Sequence, residues 1–285
     1  MPLSQEDFRA SYAKIKAEYQ EEAQKPHFSM LLMGEPNSGK TSFLKTCRKP
    51  ILVDCFDPLG DLALRKKPTD KPEWANTNDG SIIVRRWINE KSKEPTQYKK
   101  WDEQFQKDVR SGFFSCLGTY CIDSATMLLQ TITNQTIRER YLASVGKAKQ
   151  LSQDNLDEGG YIPVYKTLTD IIKIASTQSC DFILTIHLIE EKRYNDDGAL
   201  ISSSLEYYVF KGLKVLIPTL FAERYAMKVQ NTAKESIFKV VTAPQGLLKH
   251  AGSKLGGKGI LEIEEEPDMK LILKKLGLPT EDKPF

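Results

Sequence analysis

The sequence predicts an α/β fold, a mostly parallel sheet with helices on both faces and an antiparallel extension. Short apolar runs at 28–33, 50–54, 119–123 and 181–187 alternate with stretches of helical periodicity. The first run leads directly into Gly34-Glu35-Pro36-Asn37-Ser38-Gly39-Lys40-Thr41, which fits the pattern G-x-x-x-x-G-K-[ST]. Ser42-Phe43-Leu44 then opens a stretch able to form a helix, giving the strand–loop–helix setting that this motif requires.

Taken in order, residues 4–24 read as an amphipathic helix. Phe8, Tyr12, Ile15 and Tyr19 recur on one face among Glu, Lys and Gln, and the pattern stops near Lys25-Pro26. The helix precedes the first core strand, so it is an appendage that packs on its own domain or docks on a neighbouring subunit. A helix after the glycine-rich loop is expected to run to about Arg48, followed by a strand at 50–54. Residues 58–80 are rich in Pro, Lys, Asp and Asn and read as an irregular surface insertion. A strand at 81–87 follows, then a helix at 95–111 with Tyr98, Trp101, Phe105 and Val109 on one face. The strand 119–123 precedes a long helix from about Ala125, a polar loop around 150–160, a helix over 164–179 and a buried strand at 181–187. After His187 the chain becomes polar, with a turn at Asp197-Gly198. Strands near 222–229 and 236–242 supply the antiparallel extension. Residues 247–259 are rich in small and basic residues, 262–266 are acidic, and a short helix spans 268–276. The chain thus divides into an appendage (1–27), a core (28–260) and an acidic segment with a terminal helix (261–285).

Composition narrows the class. At 285 residues, 40% hydrophobic and 28% charged, the chain suits one large soluble domain with appendages. No apolar run approaches the ~20 residues of a membrane span. Met1 to Asp7 lacks the basic and apolar blocks of a signal peptide. Cys47, Cys55, Cys121 and Cys180 lie in or beside apolar segments and read as buried thiols in a reducing cytoplasm. Cys116 and Cys121 have no second pair or nearby His to make a metal site. A net charge of +3 neither demands nor excludes a nucleic-acid partner.

The glycine-rich loop carries the chemistry. Gly34 and Gly39 let the backbone wrap round a phosphate with its N–H groups inward, and the following helix offers its unpaired N–H groups to the anion. The stretch Gly34, Glu35, Pro36, Asn37, Ser38, Gly39, Lys40, Thr41 and Ser42 is therefore the expected nucleoside triphosphate site. Lys40 should reach the β- and γ-phosphates, and the Thr41 hydroxyl should coordinate Mg²⁺. Asp123 ends a later strand and is the candidate second metal ligand; the other reading is that Asp123 or Ser124 caps the helix that follows. Asp54 and Asp57 end the second strand, and either could act as the base for an attacking water, whereas Asp57-Pro58-Leu59-Gly60 also favours a turn. His187 could sense the γ-phosphate or be structural.

These features resemble the RecA-like ATPase core, most closely compact phage-encoded ATPases that include single-strand-annealing recombinases. The resemblance covers about residues 28–260 and rests on the P-loop, Ile122-Asp123-Ser124, the loop after His187 and the Leu220-Phe221-Ala222-Glu223-Arg224-Tyr225 strand. It implies ATP hydrolysis with Mg²⁺, coupled to single-stranded DNA by a ring or filament of identical subunits. It further implies a host-cytoplasmic setting and a single-strand DNA-binding protein as a further partner. Lys40 and Thr41 match the Walker A positions, Asp123 the Walker B position, and His187 the polar γ-phosphate sensor. Residues 148–162 match a first DNA-binding loop, led by Lys147 and Lys149, and 188–204 a second. In the second loop Lys192, Arg193 and Tyr194 offer phosphate contacts and a stacking ring. Lys249 and Lys254 fall where the family supplies a basic residue to a neighbour's γ-phosphate, although Ala251 replaces the family's second basic residue there. RecA proteins place Glu two residues after the Asp that ends the second strand; here that position is Phe56, which leaves Asp57 as the candidate base. The competing readings are a nucleotide-dependent switch or assembly adaptor without DNA, and a small-molecule kinase, which lacks an arginine-rich lid.

Overall fold

The computed structural model describes residues 5–23, 27–58, 60–64, 81–88, 94–147, 150–195 and 197–284. Most of the 58–80 insertion, and Lys149 of the first expected DNA loop, lie outside the described residues. The chain runs α1 (Gln5–Ala23), β1 (Ser29–Gly34), α2 (Lys40–Phe43), β2 (Ile51–Cys55), β3 (Ile82–Arg86), α3 (Gln97–Ser111), β4 (Thr119–Asp123), α4 (Ala125–Ser144) and α5 (Glu158–Ser176). It continues with β5 (Asp181–Tyr194), β6 (Leu200–Tyr207), α6 (Lys211–Thr219), β7 (Glu223–Asn231), β8 (Ser236–Val241), β9 (Gly252–Ser253), α7 (Gly257–Ile260), β10 (Glu264–Glu265) and α8 (Met269–Lys275).

The main sheet has the order β10-β8-β7-β1-β5-β4-β2-β3. The pairs β1/β5, β1/β7, β4/β5, β2/β4 and β2/β3 are parallel. The pairs β7/β8, β8/β10 and β7/β9 are antiparallel. The sheet is thus mostly parallel with an antiparallel extension, as its sequence predicts.

Strand alternation assigns the two faces. Leu31, Met33, Leu52, Tyr120, Ile122, Phe182 and Leu184 point into a core covered by α3, α4, α5 and α6. Their neighbours Met30, Leu32, Val53, Cys121 and Ile183 point into a second core with Phe43 and Leu44 of the P-loop segment and Met269, Ile272 and Leu273 of α8. Cys47, Cys55, Cys121 and Cys180 are buried, and Cys116 is exposed. The C-terminal stretch is therefore packed: β10 joins the sheet edge, and the Met269 N–H donates to Thr46 Oγ1 at 2.9 Å. Among the described residues no helix is long and apolar enough to cross a membrane.

Several boundaries differ from the sequence expectation. The helix after the P-loop ends at Phe43 and tightens into a 3₁₀ turn over Leu44–Thr46. Lys49-Pro50 follows, and proline cannot continue a helix. The polar stretch at 150–160 is a loop only to Asp157, because α5 starts at Glu158. The segment after His187 is not a loop: β5 continues to Tyr194 and pairs antiparallel with β6 as a two-stranded ribbon. Gly198 at φ 79° supports the turn between them. Helix α6 had no counterpart in the sequence reading.

Candidate functional site

The site forms at the carboxyl ends of β1, β2, β4 and β5, where parallel α/β sheets leave a crevice. Register brings its residues to one level. Gly34 of β1 lies beside His187 of β5, and Cys55 of β2 beside Asp123 of β4. Ile122 lies beside Leu184, so Asp123 and Thr185 are the next side chains along two adjacent strands. Thr185 Oγ1 donates to Asp123 Oδ1.

The P-loop leaves β1 at Gly34. A Cβ at Gly34 would lie 2.4 Å from Ser38 Oγ, and one at Gly39 would lie 2.8 Å from the Phe238 ring. Gly39 has φ 91° and Asn37 φ 63°, both in the left-handed region. Glycine at Gly39 is thus set by the left-handed backbone, and at both positions the missing Cβ lets the Ser38 hydroxyl and the Phe238 ring close in. Ser38 Oγ is buried and has no hydrogen-bond partner among the described residues. Lys40 is buried, and its Nζ donates to the carbonyls of Gly34 at 2.9 Å and Glu35 at 2.8 Å. An ammonium has three donors, so one remains for an anion. Burial lowers the Lys40 pKa to about 8, against the opposing pull of Asp123, Asp57 and Glu35.

Thr41 Oγ1 donates to Asp123 Oδ2 at 2.9 Å, which joins the two candidate metal ligands. Asp123 is fully buried, and burial, then the charge of Asp57, raises its pKa; hydrogen bonds from Thr185 and Thr41 and the charge of Lys40 act the other way. Asp57 sits one turn beyond β2. Its Oδ1 accepts from Ser124 Oγ at 2.9 Å, and its Oδ2 is 2.8 Å from His187 Nε2. Gly60 N–H donates to the Asp57 carbonyl at 3.1 Å, closing the turn that Asp57-Pro58 initiates. Asp57 therefore both forms a turn and lines the cleft. Ser124 likewise has two bonds, because its Oγ also accepts from Met127 N–H as the cap of α4.

These groups border a cleft of about 680 Å³, lined by the P-loop from Pro36 to Ser42, by Asp57, Pro58 and Leu62, and by Asp123, Met127, His187 and Phe238. That volume lies within the ~300–1,000 Å³ of small-ligand sites. The donor set fits a nucleotide with Mg²⁺. One hydroxyl and one or two carboxylates beside a phosphate cradle are what this ion takes from protein, its other ligands being water and phosphate oxygens. Two carboxylates, Asp123 and Asp57, also face a single buried ammonium, an imbalance that a dication completes.

Asp54 is excluded from the site by strand parity. It shares a face with Leu52, away from the P-loop, and is fully buried. Arg85 grips it through Nε at 2.7 Å and NH2 at 2.8 Å, and Trp87, Trp101 and Tyr120 also donate to it. All its acceptor sites are engaged in structure, so Asp54 is not the base.

Lys192, Arg193 and Tyr194 fall at the far end of β5, on the ribbon and away from the cleft. Lys192 pairs with Glu190 at 3.3 Å. Lys249 and Lys254 are exposed and do not line this chain's own cleft. The segment holding Lys254 is anchored by buried Glu223, which accepts from the Lys254 and Leu255 N–H groups at 2.8 Å. Sequence reasoning missed Thr185 and Phe238 as site residues and read Ser124 only as a cap. Thr185 was visible as the one hydroxyl inside the apolar run 181–187; Phe238 had no local signal.

No protein-family model matches the chain, and no curated protein is similar to it in sequence. Solved structures resemble it distantly. An ATPase from the type III secretion system of pathogenic bacteria has a TM-score of 0.42 and 11% identity over 70% of this chain. The match spans about half, 52%, of that ATPase. A KaiC-like protein from the archaeon Pyrococcus horikoshii has a TM-score of 0.37 and 13% identity over 75% of this chain and 77% of its own. The flagellar accessory protein FlaH from Methanocaldococcus jannaschii has a TM-score of 0.34 and 12% identity over 80% and 84%. The mostly parallel α/β sheet with a P-loop between β1 and α2 stands on the chain's own strand order.

Proposed function

We propose that the chain is a Mg²⁺-dependent ATPase that acts on single-stranded DNA in recombination or replication, in a phage setting, as a ring or filament of like subunits. The observation that carries the ATPase reading is a pair of hydrogen-bonded groups at the P-loop cleft, Thr41 with Asp123 and Ser124 with Asp57 and His187, set side by side by the adjacent residues Asp123 and Ser124. Lys40 holds the β- and γ-phosphates with its remaining donor. Thr41 and Asp123 would hold Mg²⁺, which when bound would neutralise charge on the phosphate. Asp57 takes the proton of the attacking water; Ser124 and His187 each bind one of its oxygens and fix its direction. His187 stands one residue before Leu188, the last buried residue of β5, so it links the γ-phosphate position to the ribbon.

The DNA reading is supported by the ribbon itself. Lys192, Arg193 and Tyr194 sit near its tip and give cations and a stacking ring along one strand. Lys249 and Lys254 are the groups offered to a neighbouring subunit's nucleotide. A second reading, a nucleotide-dependent switch or assembly adaptor, is favoured by the exposed Leu200 and Ile201 on the same ribbon, which suit a protein partner. For the hydrolytic part the test is Asp57→Asn, which keeps both hydrogen bonds. Turnover should fall by about 10²- to 10⁴-fold with ATP affinity retained. Unchanged phosphate release would remove Asp57 from the mechanism.

A further inference from the structure

Behind the nucleotide cleft lies a second cavity of about 320 Å³, and Met127 lines both. Its walls are the first turns of α4 and the connector between β6 and α6. Leu129 and Val209 give an apolar floor, while Tyr208 and Phe210 give aromatic walls. Phe210 is held edge-on by Tyr161, with ring centroids 5.3 Å apart. Tyr208 is 58% exposed, yet its backbone N–H is fixed to the His187 carbonyl at 2.9 Å. Gln130 lines the cavity and its amide has no intramolecular hydrogen bond among the described residues; exposed Lys211 directly follows the lining residue Phe210 in the chain.

We propose that this cavity receives one unstacked base of single-stranded nucleic acid; the inference rests on the DNA reading above and names where a base is held. Size, shape and chemistry point the same way. The volume is at the lower end of ligand cavities, ~300 Å³, and suits one flat heteroaromatic group. Aromatic walls bind the faces of any base. The Gln130 amide offers a donor and an acceptor to a base edge, which an aliphatic side chain would leave unpaired. Lys211, the first residue of α6 and next in sequence to Phe210, supplies a cation for the phosphate. The position also gives a route to the ATP site. Thr126 Oγ1 in the same wall accepts from His187 N–H at 3.3 Å, and Met127 touches both cavities. A base seated there would press on the residues that hold Asp57.

The test is the affinity of the full-length protein, with Mg²⁺ and a non-hydrolysable ATP analogue, for a thymidine oligonucleotide and for an abasic oligomer of equal length. Wild type should prefer the bases by about ten-fold. Tyr208→Ala should lose that preference and Tyr208→Phe should keep it. Because Tyr208 is largely exposed, neither change threatens folding, which a thermal unfolding midpoint checks. Equal affinity of wild type for both oligomers, or full base preference in Tyr208→Ala, would overturn the cavity assignment and leave the DNA reading standing. Binding of neither oligomer would overturn both.

Discussion

Lys40 shows how one buried side chain sets a measurable property of the cleft. Its ammonium is out of water, and that burial lowers its pKa to about 8 against the opposing pull of Asp123, Asp57 and Glu35. The unfolded chain then holds more protons than the folded one between that value and the ordinary 10.5. Stability from this group therefore rises with pH across that window, and below it the buried charge is a cost. Phosphate binding needs the charged form, so affinity moves oppositely. Between pH 7 and pH 9 the ATP dissociation constant should rise by about ten-fold, and Lys40→Arg should flatten that rise. Calorimetric titration at the two pH values reads this directly; a pH-independent affinity in the wild type would mean that Lys40 does not contact the phosphates. Asp57 and Asp54 make the complementary point about residue type. The sequence offers both as acids at a strand end, and only strand parity separates them.

At the scale of elements, the short parallel strands do the positioning. Their registers set Gly34 beside His187 and Cys55 beside Asp123, so four strand ends deliver their polar groups to one cleft. The Asp54 cluster fastens β2 to β3, α3 and β4 through Arg85, Trp87, Trp101 and Tyr120. Asp54→Asn should lower stability by about 3 kcal/mol in urea unfolding, because it leaves a guanidinium and buried donors poorly paired. The folded fraction should keep its turnover. Lost turnover with stability intact would instead make Asp54 catalytic. The β5–β6 ribbon is the element the sequence disguised. Glu190 to Arg193 is charged throughout and reads as a loop, but both faces of a protruding ribbon meet water, so the inside–outside alternation that marks a strand never appears. If the ribbon binds single strands, replacing Lys192 and Arg193 by Ala should reduce the salt slope of DNA affinity by about 1.4. An unchanged slope would take these cations off the DNA.

For the whole molecule, the fold class was legible because buried parallel strands are written as apolar runs and the P-loop has a fixed spacing. Helix α6 was not, since Leu213, Val215, Ile217 and Pro218 crowd a stretch too short to show a period. Of the cleft, Gly34 to Ser42, Asp57, Asp123 and His187 could be named from local pattern. Thr185, Ser124 as a partner of Asp57, and Phe238 needed register and the β7–β8 hairpin, which bring together residues far apart in sequence. The same architecture packs α8 and the P-loop segment into one core, so a late helix braces the nucleotide site. The central claim is that ATP hydrolysis in this cleft is coupled to single-stranded DNA, and phosphate release by the purified protein with and without single-stranded DNA, beside Lys40→Ala, tests it most directly. The account predicts a basal rate that DNA raises and that Lys40→Ala abolishes under both conditions. ATP binding with a rate indifferent to DNA would contradict the coupling and favour the switch or adaptor, and an undiminished rate in Lys40→Ala would contradict the site itself.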